Sequence, residues 1–418
     1  MAEPHVLIVG AGIGGLTTAL MLHARGIPCT LFERSESVRE LGVGINTLPH
    51  AIHELAELGL LPALDAVGIR THELIYSNRF GQRIWRELRG TDAGFTVPQF
   101  SIHRGKLQNV LYQAVLERLG AERVLTGHRL VGFEGDEAGV TARFARTGSE
   151  AAVEACGCVL VGADGIHSSV RAAFYPHEGP PSWNGLLLWR GATQWEPFLS
   201  GRSMIIAGGM RAKLVLYPIH ADPAQPGKVL MNWAVVARLG DGSKPPPRRE
   251  DWNRRGLLDE LLPFVENTFS LPELDVLALI RATPEFFEYP MCDRDPLPRW
   301  SHGRVTLLGD AAHPMYPVGS NGASQAILDA RCLADRLAES ADPAAALAAY
   351  EAERLPKTAE IVRVNRLGGP ERVIDVIEER APDGFAAIED LASEAELAGI
   401  VRGYAQMAGF AREQMGAR

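Results

Sequence analysis

Long apolar runs are absent from this sequence: no stretch reaches the roughly 18 residues needed to cross a bilayer. The N-terminus passes straight into a strand-like segment without a basic region or cleavage site, so a cytoplasmic protein with no membrane span is expected. Cysteine is scarce. Its five copies are odd in number and scattered, which gives no disulfide framework, and Cys156-Gly157-Cys158 is too tightly spaced for a usual zinc pair. No metal site is expected. Positive charge is in deficit, 42 Lys and Arg against 51 Asp and Glu, and the net charge of −9 argues against nucleic acid or an acidic membrane as partner. No repeat period or low-complexity tract is present, and Pro245-Pro246-Pro247 reads as a surface loop. No Ser-His-Asp order or C-x-x-C pair stands next to the glycine-and-acid motifs described below, which leaves acyl transfer and redox-disulfide chemistry without support.

What is present begins with size: 418 residues exceed the roughly 250–300 at which single cores stop growing, so at least two lobes are expected. Val6 to Val9 is a buried-type strand, and Gly10, Gly12 and Gly15 complete a G-x-G-x-x-G turn that also holds Ile13 and Gly14. Leu16 to Ala24 is helical, Gly26 ends the helix, and a second strand, Cys29 to Phe32, closes on Glu33 and Arg34. The glycines admit a pyrophosphate to the helix N-terminus, and an acid about 20 residues on accepts ribose hydroxyls, so the segment predicts dinucleotide binding. Glu33 in place of an arginine argues against a 2′-phosphate. NAD and FAD both fit this segment.

Two further strand ends carry glycine and an acid. Cys158 to Gly162 leads to Ala163-Asp164-Gly165, with a short helix from Ser168, and Val305 to Leu308 leads to Gly309-Asp310. Pro314 and Pro317 forbid helix after Asp310, Gly319, Asn321 and Gly322 allow close backbone approach, and a helix opens at about Ala323. Its free N–H groups present a site for an anion. Leu41 to Leu48 is a glycine-interrupted loop able to lie flat on a planar ring, and His103 opens a helix to about Leu119 that sets Arg104 and Gln108 one turn apart. Only one G-x-G-x-x-G exists, so a flavin in it would leave a nicotinamide no lobe of its own.

The triple at Glu33, Asp164 and Asp310 resembles the three fingerprints of the flavoprotein aromatic hydroxylases, the single-component FAD monooxygenases typified by para-hydroxybenzoate hydroxylase, over about residues 5 to 365. Within that family the chain is similar to the phenazine-modifying enzymes, in G-V-G-I-N, S-I-H-R-G, V-G-A-D-G-I-H-S, W-R-G, D-W-N, Y-P-M-x-D-R-D-P-L-P and the stretch from Gly309 to Asp329. The resemblance implies that Gly10, Gly12, Gly14 and Gly15 cradle the FAD pyrophosphate and that Glu33 holds the adenosine ribose. It implies Gly44 beside the flavin, Arg104 and Gln108 at the phosphate or ribityl chain, Leu130 at the adenine through its backbone, and Asp310 at the ribityl chain. Pro317 to Ala323 would pass over the isoalloxazine edge, and Asp164 with Arg171 would handle FAD and pyridine nucleotide. Val318 and Ser320 depart from the family pattern, which bears on substrate identity. The implied chemistry is reduction of FAD by a transient NADH or NADPH, then hydroxylation by O2 through a C4a-hydroperoxyflavin.

The expected fold is α/β: a Rossmann-like FAD-binding domain over residues 1–180 and 293–368, an inserted mixed β-sheet substrate domain over 181–292, and a C-terminal helical segment over 369–418. Strand-like runs recur from Leu186 to Met291, and Trp189, Met204, Leu214, Leu216, Tyr217 and Tyr289 are candidates to line a substrate pocket. Arg190, Arg211 and Lys213 are candidates to meet a substrate carboxylate, and Pro317 and Tyr217 are the candidate catalytic residues. His167 and His313 read as structural. The expected reaction is hydroxylation of a phenolic or phenazine-like aromatic acid, with or without decarboxylation, by a monomer or homodimer. Epoxidation, ring oxidation or antibiotic inactivation on a polycyclic natural product is the alternative, with a flavin-bearing drug binder and an NAD-dependent dehydrogenase behind it.

Overall fold

The computed structural model describes residues 5–38, 42–148, 152–244, 246 and 254–415. Leu41, Pro245, Pro247 and the Asp251-Trp252-Asn253 motif fall outside them. Among the described residues, five short strands form a parallel sheet in the order Val305–Leu307, Val159–Gly162, Val6–Val9, Cys29–Phe32, Val124–Leu125. The runs Val6–Val9, Cys29–Phe32 and Val159–Gly162 are buried along their whole length, as strands of a covered parallel sheet are. Helices Ile13–His23, Arg104–Leu119 and Gly322–Glu339 pack into the same core, and an antiparallel meander of residues 128–157 joins it through Phe144, stacked on Phe32 at 4.0 Å. Because the strands run parallel, Glu33, Asp164 and Asp310 all emerge at one sheet edge, where the crevice of an open α/β sheet lies.

The first helix starts at Ile13, three residues before the expected Leu16, so Gly14 and Gly15 belong to its first turn. Gly15 shows why the turn can be so tight. A Cβ there would stand 1.9 Å from the Gly10 carbonyl oxygen, so only glycine lets the helix back onto the strand that precedes it.

A second sheet has seven strands, in the order Phe286–Asp293, Ser182–Trp195, Val229–Arg238, Ala212–His220, Ser203–Ala207, Glu73–Ser77, Arg83–Leu88. Its pairings are antiparallel apart from Ser203–Ala207 with Glu73–Ser77. The strands of residues 73–88, counted with the first lobe in the sequence, therefore lie in the second sheet. Helices Leu258–Thr268 and Val276–Arg281, the latter unanticipated, cover one face and bury Trp189, Leu214, Leu216, Trp233 and Val235.

The C-terminal helices are packed into the second sheet's core. Val373, Ile374 and Ile377 of Arg372–Arg380 and Leu397 and Val401 of Glu394–Met407 pack on Tyr76, Met204 and Ile219 of the second sheet. Among the described residues no helix is long and apolar enough to cross a membrane.

Candidate active site

At the nucleotide end, Glu33 reaches across to the glycine turn. Its Oε2 accepts the Ala11 N–H at 2.9 Å and its Oε1 the Ser35 N–H at 2.9 Å, so the carboxylate is fixed at the mouth of the turn. Gln108 braces the same turn from the other side, donating through Nε2 to the Ala11 carbonyl at 2.8 Å. The helix beyond Gly12 has no acid in its first turn, and a Cβ on Gly12 would meet nothing within 4 Å. A helix N-terminus that is open and unneutralised fits a pyrophosphate, so these residues suit a dinucleotide cofactor. Arg104 is exposed, with its side-chain stem beside Gly42, and Arg34 is exposed at the sheet edge. Leu130 is buried opposite Phe144, and Gly127 and His128 of the adjoining turn donate to the carbonyls of Ser35 and Glu33, which places this hairpin beside the acid.

Asp164 caps the short helix Ser169–Phe174: it accepts the Ser168 hydroxyl at 2.5 Å and the Ser169 N–H at 2.6 Å. Burial pushes its carboxyl above the ordinary range, against these bonds. Arg171 is buried and donates to the carbonyls of Ala311 at 3.1 Å and Ala312 at 2.9 Å while pairing with Glu178. Its observed contacts brace the turn that carries Asp310, which is itself exposed.

From there the chain passes Pro317, also exposed, through a tight turn at Val318–Ser320 into the helix Gly322–Glu339, which has no acid in its first turn. Gly319 and Ser320 both have positive φ, 65° and 58°. Gly322 lies close to Asp310, whose Oδ1 a Cβ on Gly322 would approach to 3.9 Å, and Ala323 is half-buried beside it. Beneath the turn His313 Nε2 contacts Asp329 at 2.5 Å, and Arg354 donates to the same carboxylate at 2.7 Å. Neither Asp329 nor Arg354 was singled out in the sequence, although Asp329 closes the motif that begins at Gly309.

The second sheet turns its other face to this turn. Leu186, Leu188, Ala234, Val236 and Met291 pack with Tyr316 and Val318, and Tyr289, Met210 and Val215 are partly open beside them. Arg190 lies on the same face, with Nη1 donating to Tyr289 Oη at 3.2 Å, Nη2 to the Gly44 carbonyl, and a further bond to Tyr217. Asn232 Oδ1 accepts the Gly44 N–H at 2.8 Å, which pins the strand Gly44–Thr47 to this sheet. Burial pushes the Tyr217 phenol up to about 12, with Arg190 acting in the opposite direction, so the hydroxyl is protonated at neutral pH.

Strand alternation corrects part of the expected lining. Trp189, Leu214 and Leu216 point to the helix-covered face, one residue out of phase with Arg190 and Tyr217, and Met204 packs under the C-terminal helices. Arg211 is exposed, and Lys213 is buried in an ion pair with Glu371. Asn232 was missed; the signal was a lone amide in the apolar run V-L-M-N-W-A-V-V.

Residues 3–180 and 291–365 match the FAD binding domain family. Phenazine 1,6-dicarboxylic acid hydroxylase PhzS of Lysobacter antibioticus is 47% identical over 369 residues, 87% of this chain and 89% of its own. 3-hydroxybenzoate 6-hydroxylase 1 of Aquipseudomonas alcaligenes is 32% identical over 381 residues, 87% of this chain and 88% of its own. The structure of HpxO from Klebsiella pneumoniae complexed with FAD and uric acid has a TM-score of 0.74 over 100% of this chain and 97% of its own, at 24% identity, a likeness of fold. The chain belongs to the FAD binding domain family, among its flavin-dependent aromatic monooxygenases.

Proposed function

We propose that the protein uses NADH or NADPH and O2 to hydroxylate an aromatic or N-heteroaromatic acid, phenazine-like or phenolic, with or without loss of the carboxylate. One observation carries the reading: Val318 of the turn after Pro317 packs on an apolar face of the second sheet, Gly322 beside it lies next to Asp310, and the helix that follows packs through Ala326 against Gly14 of the glycine-rich turn. The relative at 47% identity, a phenazine dicarboxylic acid hydroxylase, supports the substrate class.

Bound FAD supplies the redox chemistry: two electrons from the nicotinamide, and activation of O2 so that one oxygen atom enters the ring and the other leaves as water. The chain supplies everything else. Gly10, Gly12, Ile13, Gly14 and Gly15 would present backbone to the pyrophosphate, Glu33 would hold the adenosine ribose, Arg104 and Gln108 the phosphate or ribityl region, and Asp310 the ribityl hydroxyls. The N–H groups at Gly322 and Ala323, at the start of a helix with no acid in its first turn, would favour the negative charge that the reduced cofactor carries. Leu186, Leu188, Val236 and Tyr316 exclude water from the oxygen chemistry. Tyr217, protonated, serves as a hydrogen-bond donor rather than as a base. The same reading divides the chain near residues 180, 292 and 368, with residues 73–88 lent to the substrate sheet.

The test is consumption of NADH and NADPH by the yellow holoenzyme with and without phenazine-1,6-dicarboxylic acid, followed by product mass. Ligand-stimulated consumption with a gain of one oxygen, or a net exchange of carboxylate for hydroxyl, is the expected result. A colourless protein, or intact ligand after turnover, refutes the reading; a product with an epoxide or an opened ring changes the reaction but keeps the cofactor.

A further inference from the structure

Among the described residues the buried Lys and Arg side chains each meet an acid, and the half-buried Arg190 does not. Arg354 pairs with Asp329, Arg171 with Glu178 and Lys213 with Glu371. Arg190 has only neutral partners: the Gly44 carbonyl and the hydroxyls of Tyr289 and Tyr217. Among the described residues no carboxylate pairs with it, and its Nε has no hydrogen-bond partner. A guanidinium withdrawn from water without an anion is costly, and a fold tolerates it where an anion is meant to arrive.

The position of Arg190 says which anion. Its strand, Ser182–Trp195, alternates, so Arg190 shares a face with Leu186 and Leu188 against Tyr316 and Val318 of the turn. Arg190 keeps part of its surface open, as do Tyr289 and Val215 on the same face. One strand away, Asn232 is fully buried on that face, and its Nδ2 also has no partner. A half-open cation without a counterion at the border of an apolar wall suits a carboxylate attached to a flat hydrophobic body.

We propose that Arg190, supported by Asn232, is the receptor for the carboxylate of the aromatic acid, whose ring lies along Leu188, Val236 and Tyr289; this rests on the function proposed above. Lys213 is excluded from that role by its internal counterion Glu371, and Arg211 by its exposure. The consequence is selectivity. Arg190 rewards an ionised acid over a neutral ring of the same shape, because the neutral ring leaves the half-buried charge unmatched.

The test uses the FAD-loaded enzyme, titrated by the change in flavin absorbance with phenazine-1,6-dicarboxylic acid and with its diamide. Arg190→Met should weaken the acid on the order of a hundredfold, the scale of losing a charge-assisted pair, and leave the diamide within about threefold. Arg190→Lys, which keeps the charge but not the fork, should recover part of the loss and guards against a merely misfolded Arg190→Met. Equal losses for acid and diamide, unchanged acid binding, or release of FAD from Arg190→Met with FAD kept by Arg190→Lys each overturn the assignment while leaving the functional reading intact. Wild-type enzyme that binds neither ligand and consumes no NADH or NADPH with any aromatic acid overturns both.

Discussion

Asn321 Nδ2 donates to the hydroxyl of Tyr404 across 2.8 Å, so the residue before the Gly322–Glu339 helix is held by one 83 positions away. The same hydroxyl donates to Asn365 Oδ1 at 2.7 Å. Gly319 lies so close that a Cβ on it would sit 2.5 Å from the Tyr404 oxygen. The turn proposed to cover the isoalloxazine edge is thus shaped from outside by the C-terminal helices. Tyr404→Phe removes the oxygen and strands a buried amide, which should cost about 1–3 kcal/mol. We expect a lower melting temperature and weaker FAD retention, read by thermal melts with and without added FAD. A variant that melts with wild type in both conditions would remove Tyr404 from this role.

Asp310 gives a contrasting case, because it is exposed and its environment gives the fold nothing to lose. Asp310→Ala should leave the cofactor-free protein as stable as wild type while FAD affinity or the rate of flavin reduction falls steeply. Fluorescence titration with FAD and anaerobic mixing with NADH measure the two. Full activity in Asp310→Ala refutes the ribityl assignment.

Beneath that turn, Asp329 is fully buried between His313 and Arg354 and also accepts the Gly309 N–H at 3.1 Å. Burial alone would raise its pKa, yet His313 and Arg354 outweigh burial and hold it at about 2. A folded value below the unfolded one, about 3.9, means the stabilisation is complete above the unfolded pKa and disappears as pH falls through the folded one. Wild type should therefore lose about 2 kcal/mol between pH about 4 and about 2 from this group. Asp329→Asn should be less stable at neutral pH by about 3–5 kcal/mol, since Arg354 is left buried without its anion, and its acid dependence in that window should be shallower. Urea midpoints across the pH range decide; parallel curves for the two proteins would discard Asp329 as the source of the slope.

The convergence of Glu33, Asp164 and Asp310 on one end of the sheet was legible from sequence, because parallel strands all end at one edge and three apolar runs each closed by an acid then meet there. The face of the second sheet was not. Trp189 and Arg190 are neighbours, and which of them meets the turn depends on where Leu258–Thr268 and Val276–Arg281 pack, which no single strand encodes. Val276–Arg281 is six residues long, too short to leave a helical period in the sequence. Contacts such as Arg190 with Gly44 join residues 146 apart, where spacing carries no signal.

The pair Lys213 and Glu371 is of the same kind, 158 positions apart and buried, and Glu371 Oε1 also accepts the Gly319 N–H at 3.3 Å. Its physics separates two questions that single mutants confuse. Removing one partner leaves a buried charge, so Lys213→Met or Glu371→Leu alone should destabilise by about 3–5 kcal/mol. Replacing both by apolar residues of similar size removes the desolvation cost of each ion, so Lys213→Met with Glu371→Leu should be close to neutral in stability. The Gly319 N–H still loses its acceptor in the double variant, and the turn over the cofactor should loosen. We therefore expect melting temperatures restored by the second substitution, but FAD affinity that stays reduced in the double variant and in Glu371→Leu more than in Lys213→Met. A double-mutant cycle on melting temperature and on FAD binding reads the two together, and recovery of both in the double variant would mean that Glu371 acts on the fold alone.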